Sequence, residues 1–210
     1  ITDKAMLELG FLNESTKHLI SKDIIQKLKI EIKKEILFEL ENNQGRQIQD
    51  RLNIKQILES GENITVEFKE TFSVNTREKK SGDNKIRHAF LREVAAFLNA
   101  KGGVILIGVT DDKSVSGIEV DDFKDSESYL RKISQVIAGA LGETAATLTE
   151  VEIHKHLGKL ICSVTCEVST VPIYCDYKNF GQQTFVRYGN VTSQPPPKEW
   201  AEYCQQRFEG

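Results

Sequence analysis

No apolar run in this chain approaches the roughly 18 residues that a membrane-spanning helix requires, so no membrane contact is expected of it. It also lacks a charge excess. Its 28 Lys and Arg face 31 Asp and Glu, giving a net charge of -3 and a pI of about 5.9. That balance excludes a histone-like or polybasic binder held by bulk charge, while leaving a local basic patch open. The four cysteines, Cys162, Cys166, Cys175 and Cys204, show no CxxC spacing. A chain of 210 residues can bury a core without covalent staples, so reduced thiols in a cytoplasm are the expectation. There is no internal repeat and no low-complexity tract. Gly102-Gly103 is not followed by the Gly-Lys-Ser/Thr of a phosphate-binding P-loop. An initiating methionine is absent too: the chain starts at Ile1 and is expected to be a fragment or a processed form.

What is present reads as globular. Hydrophobic residues make up 39% and charged residues 28%, which suits one domain with an appendage. The appendage is residues 1–45. Within it Ile25, Leu28, Ile32, Ile36 and Leu40 recur every three or four positions, one apolar stripe on a helix ended by Asn42-Asn43-Gln44-Gly45. Such a stripe packs either on its own domain or on a partner. From residue 46 to 210 the pattern changes. A short helical turn is expected at Ile54–Glu59, and a strand at Ile64–Phe68. A helix is expected at Ile86–Ala100, stopped by Lys101-Gly102-Gly103, and a buried strand at Val104–Val109. A second helix follows at Ser126–Leu141. Leu148–His156 and Lys159–Val168 form a hairpin, Thr184–Tyr188 is a further strand, and Lys198–Phe208 is a closing helix. Strands interleaved with helices, with one antiparallel hairpin, predict an α/β or α+β fold: a mixed sheet with flanking helices.

The chemistry concentrates in Glu62-Asn63-Ile64-Thr65-Val66-Glu67-Phe68-Lys69. Side chains alternate along a strand, so Glu67 and Lys69 share one face while Val66 and Phe68 take the other. A carboxylate beside an ammonium suits a phosphodiester site, the one holding a divalent cation and the other neutralising charge on phosphate. Glu62 can curl back to add a second carboxylate. On this octet alone an exposed strand face with a Glu67–Lys69 ion pair is the simpler reading. Asp111 and Asp112 follow the buried strand, at a carboxyl end where open α/β sheets commonly build sites. Hard oxygen donors from separate segments are what Mg²⁺ or Mn²⁺ requires, although Asp is also an ordinary turn residue.

These residues resemble a known family. Glu62 to Lys69 has the E-x4-E-F-K form that opens the AlbA-type domain of Schlafen proteins and their short bacterial relatives. Ala96-Phe97-Leu98-Asn99-Ala100-Lys101-Gly102-Gly103 is similar to the family's A-F-A-N-T-x-G-G. Ile105–Asp112 and Gly117 continue the match, and Phe185-Val186-Arg187-Tyr188-Gly189-Asn190-Val191-Thr192 resembles its R-x-G-S-x-T strand. The likeness covers about residues 52 to 208. It implies a Schlafen AlbA-type core that binds nucleic acid and, in its nuclease-active members, cleaves transfer and ribosomal RNA with three acidic residues and a divalent metal. By motif position those residues are Glu62, Glu67 and Asp111, with Lys69 beside them. The resemblance therefore implies a metal-dependent endoribonuclease, with Mg or Mn as cofactor and structured, tRNA-like RNA as substrate. The alternative is a non-catalytic DNA- or RNA-binding module of a larger regulator. Vertebrate members carry a zinc site from a His-x-Cys pair and a Cys-Cys pair. Here His154-Lys155-His156 and Thr170-Val171 stand in those places, and no zinc is expected.

Phosphate contacts are expected from a basic island next in sequence to the Glu67–Lys69 strand. Arg77, Lys79, Lys80, Lys85 and Arg87 meet only Glu78 and Asp83 between residues 77 and 88. Arg187 and Lys178 are weaker candidates. Tyr174, Tyr177 and Phe180 are candidates to stack bases or to pack a strand end. Vertebrate Schlafen cores have two related lobes and this chain has one, so the resemblance and the stripe together imply a homodimer.

Overall fold

The sheet is built around the most apolar run in the chain. In the computed structural model, which describes residues 53–76, 78, 82–121 and 123–209, that run forms β2 (Gly103–Ile107). It pairs in parallel with β1 (Val66–Lys69), with Glu67 opposite Ile105 and Lys69 opposite Ile107. Its other edge pairs antiparallel with β4 (Lys159–Cys166), which pairs in turn with β3 (Thr149–His156). The order is β1-β2-β4-β3, a mixed four-stranded sheet as the alternation of strands and helices predicts. The β3–β4 hairpin closes through Leu157 and Gly158, at φ of 49° and 81°. Positive φ at both turn residues matches the right-handed twist of the strands.

Helices cover the sheet. Before β1 runs the short α1 (Ile54–Ser60). The β1–β2 connection carries α2 (Asn84–Asn99), capped by the Asp83 carboxylate on the Lys85 amide. After β2 come α3 (Ser126–Leu141), opened by a reciprocal Asp125–Ser128 capping box, and the short α4 (Glu143–Thr147). Phe90, Leu91, Val94, Phe97 and Leu98 of α2 meet Ile133, Ile137 and Leu141 of α3 and Ile105 and Ile107 of β2 in one core. Two three-residue pairs follow: β5 (Tyr174–Asp176) with β6 (Gln182–Thr184), and β7 (Val186–Tyr188) with β8 (Val191–Ser193). The chain closes with α5 (Pro197–Phe208), Pro197 at its first turn.

The structure refines several expectations. The strand expected at Ile64–Phe68 begins at Val66, because the Asn63 side chain accepts from the Thr65 amide at 2.9 Å and turns the chain there. The strand expected at Thr184–Tyr188 is divided: Thr184 ends β6 and Val186 begins β7, each with its own partner. Lys101-Gly102-Gly103 ends α2 through Gly102, whose φ of 71° lets its amide donate to the Phe97 carbonyl at 2.9 Å, while Gly103 lets β2 pass close to α2 and β1. A Cβ on Gly103 would lie 2.7 Å from the Phe97 ring and from the Thr65 carbonyl oxygen.

The compact unit runs from Ile54 to Gly210. The stripe of residues 25–40 and the expected 45/46 boundary lie outside the described residues, as do Arg77, Lys79 and Lys80. Among the described residues no helix is long and apolar enough to cross a membrane.

Candidate functional site

Alternation along β1 buries Val66 and Phe68 and leaves Glu67 and Lys69 half-buried on the opposite face. Glu62 curls back, and its Oε1 accepts from the Phe68 amide at 2.9 Å. Glu67 is bound at both oxygens. Lys69 Nζ donates to Oε1 at 2.5 Å, and Arg187 donates to Oε2 at 2.8 Å.

Arg187, expected among the phosphate contacts, has a side chain only 1% exposed. The nitrogen that meets Glu67 also donates to Glu93 Oε2 at 3.0 Å. Its second terminal nitrogen donates to the carbonyls of Asn63 and Val66 at 2.8 and 3.2 Å. The guanidinium lies 4.8 Å from the centroid of the Phe97 ring. The Thr192 hydroxyl completes the group by donating to Glu93 Oε2. Two carboxylates and two cations thus neutralise one another on the β1 face. Such a group rigidifies the join between β1, α2 and β7, because breaking a buried pair strands the remaining charge.

Asp111 makes no bond to this group: it is exposed in the turn after β2, without a hydrogen bond or ion pair to the described residues. Its neighbour Asp112 organises the turn: it accepts from the Thr110 hydroxyl and from the Ser114 amide and hydroxyl. Those donors, Thr110 foremost, hold the Asp112 carboxyl below its ordinary range. Among the described residues no three His, Cys, Asp or Glu side chains converge to hold a metal. Glu62, Glu67 and Asp111 have the hard-oxygen chemistry that Mg²⁺ or Mn²⁺ takes. As arranged they do not fit such an ion, since both Glu67 oxygens already carry cations.

Of the basic island, Lys85 is exposed on the first turn of α2, and Arg87 lies 5.7 Å from the centroid of the Phe72 ring. Tyr177 and Phe180 are packed: His88 stacks on Phe180 at 3.9 Å and the Tyr177 ring lies 6.5 Å from that of Phe180, nearly parallel to it. Tyr174 meets Trp200 edge-on. His154 bonds Ser163 Oγ at 2.7 Å across the hairpin. The four thiols are unpaired, and burial pushes those of Cys162 and Cys166 up and that of Cys175 to about 12.

Sequence reasoning missed Glu93 and Asp121. Asp121 accepts from the Phe72 and Ser73 amides, each at 2.8 Å, and from the Tyr129 hydroxyl at 2.8 Å. Burial, and then the Asp121 charge, push the Tyr129 phenol up. The available signal for Glu93 was a charge inside an otherwise apolar helical face, since a buried charge demands a partner.

The family described as Schlafen, AlbA_2 matches over residues 62–196. No curated protein matches the chain. Among solved structures the chain is similar to the DIP2311 protein from Corynebacterium diphtheriae, at 21% identity and a TM-score of 0.52. That likeness covers 78% of this chain and 33% of the other, so this chain spans about a third of its neighbour, and the similarity is one of fold.

Proposed function

We propose that this chain, which belongs to the Schlafen, AlbA_2 family, is an RNA-binding domain that holds its ligand by the phosphate backbone. Membership supports a nucleic-acid-related role. The observation that favours binding over cleavage is the internal neutralisation of Glu67 by Lys69 and Arg187. A carboxylate saturated by two side-chain cations is poorly placed to take a third, so no step here runs through a divalent ion. Lys85, exposed, and Arg87, half-buried, by contrast make no ion pair with any described residue, and unpaired cations are what a phosphate backbone recruits. DNA would make the same phosphate contacts, and a 2′-hydroxyl contact is what would separate the two.

The second reading is a metal-dependent endoribonuclease acting on structured RNA such as tRNA, with Glu62, Glu67, Asp111 and Lys69 at its site. One observation favours it. The amides of Gly108 and Val109 donate to the Lys69 carbonyl, so the turn bearing Asp111 begins at the end of the strand bearing Glu67. This reading requires Glu67 to leave Arg187.

The test mixes the chain with total tRNA and with a matched single-stranded DNA, in EDTA, Mg²⁺ and Mn²⁺, alongside Glu67→Gln. Binding should be saturable in EDTA, weaken steeply with salt and favour RNA, and the RNA should stay intact. Cleavage that needs Mn²⁺ and is lost in folded Glu67→Gln would establish the second reading instead. A chain that neither binds nor cuts would refute both.

A further inference from the structure

We propose that the cavity between α2, α3 and the turn after β5 is a subsite for one phosphate of a bound RNA strand. This rests on the nucleic-acid reading above and places a contact that the motifs do not. The cavity holds about 330 Å³. Arg87 reaches it from α2, Lys132 and Gln135 from α3, and Asp176, Tyr177 and Lys178 from the end of β5 and its turn.

Three observations point to an anion. First, three cations face one carboxylate, Asp176, and neither Arg87, Lys132 nor Lys178 has an ion-pair partner among the described residues. Cations gathered on a cavity without counter-charges repel one another, and a bound phosphate removes that repulsion. Second, Arg87 lines the cavity and its terminal nitrogens make no hydrogen bond or ion pair with the described residues. The guanidinium is positioned against the Phe72 ring, so its donors are fixed as a planar fork, the shape that matches phosphate oxygens. Third, the turn that presents Lys178 is held in a conformation a lysine seldom adopts, with φ of 52°. Neighbouring contacts impose it: Phe180 stacks on His88, whose Nε2 meets Gln183 Oε1 at 2.7 Å, and the Tyr177 hydroxyl donates to Asn84 at 3.2 Å. Backbone held off its preferred region between two anchored neighbours, here Tyr177 and Phe180, is a mark of a preorganised site.

A strand phosphate suits this cavity better than a free nucleotide. The lining offers Val136 and Gly139 as its apolar wall, with no open aromatic face for a base, because the Tyr177 ring lies beside Phe180. The same ionic chemistry could also accept a free phosphate ion, and the experiment separates the two.

The full chain is titrated with a labelled single-stranded RNA over a salt series, as wild type, Lys132→Ala/Lys178→Ala, Gln135→Glu and Lys85→Ala, with melting curves confirming the fold. Single-stranded backbone contacts contribute about 0.7 each to the log–log salt slope. The double variant, which strips two of the cations from that one phosphate, should therefore lower the slope by up to about 0.7, and Gln135→Glu should weaken binding by adding a charge at the rim. Inorganic phosphate, followed by ³¹P NMR, should bind far more weakly than RNA and lose its shift in the double variant. If wild type binds RNA while the folded double variant keeps both affinity and slope, the subsite is refuted and the RNA-binding reading survives. If phosphate binds at the cavity yet RNA affinity ignores it, the site serves a small anion and the proposal fails. If wild type binds no RNA, the broader reading falls with it.

Discussion

At the scale of single residues, Arg187 decides how the acidic face behaves. Its partners lie 120 and 94 positions away in the chain, at Glu67 and Glu93, so no spacing rule could have joined them. As a lone arginine near a strand end it reads as a phosphate contact. Alternation could not warn otherwise, because β7 buries both Val186 and Arg187. The E-F-K pattern was legible because alternation along a single strand is local; its neutralisation was not, because that depends on how β7 meets α2. Arg187→Met should cost about 3–5 kcal/mol, the range for removing one member of a buried pair, since Glu67 and Glu93 are then left facing one another. Adding Glu93→Gln removes one of the stranded charges and should recover part of the loss. Urea unfolding of the two variants checks this: a double variant no more stable than Arg187→Met would show that repulsion between the carboxylates is not the cause.

At the scale of elements, hydrophobic periodicity carried most of the fold. The bounds of α3 are those expected, Ser126 to Leu141, and the β3–β4 hairpin and the buried strand β2 appear where the apolar patterns put them. Of the short pairs β5–β6 and β7–β8 only one strand, Thr184–Tyr188, was legible, because three residues are too few to display a period, and their positions are set by contacts with α2. Asn99 makes one of those contacts. Fully buried at the end of α2, it donates from Nδ2 to the carbonyls of Ile173 and Phe185, at 2.8 and 3.0 Å, and accepts from the Ile173 amide at 2.8 Å. One side chain thus satisfies three backbone groups on the segments leading into β5 and β7. The asparagine of the A-F-L-N motif therefore has a structural reason. Asn99→Ala should cost about 3 kcal/mol, because each unsatisfied buried group costs roughly 1–3 kcal/mol and a water can replace some of them. Amide exchange at Ile173 should accelerate by more than the global loss of stability explains. Unchanged relative protection there would mean that β5 is held by its packing alone.

At the scale of the whole molecule, the described domain has one four-stranded sheet and two short strand pairs, and the basic cavity and the neutralised acidic face are each built within that domain. A lone domain of this size offers an extended RNA only a short track of phosphate contacts, and doubling it about a two-fold axis would lengthen that track without a new binding chemistry. The sequence supplies a means. Ile25, Leu28, Ile32, Ile36 and Leu40 form a stripe that, on a helix, is wider in apolar surface than solvent favours. A symmetric pairing of such stripes is the commonest closed assembly open to one chain. We therefore expect the full chain to run as a dimer, and Leu28→Glu/Ile32→Glu to shift it to a monomer by placing charges in the seam. Light scattering on the intact proteins reads the mass, and the RNA titration reads the consequence. Loss of the second domain should weaken binding to long RNA much more than to a short oligonucleotide, since a short strand engages only one copy. A variant that becomes monomeric yet binds both lengths as wild type does would show that one domain carries the whole interaction, and a wild type already monomeric at the concentrations of the titration would remove the dimer from the account altogether.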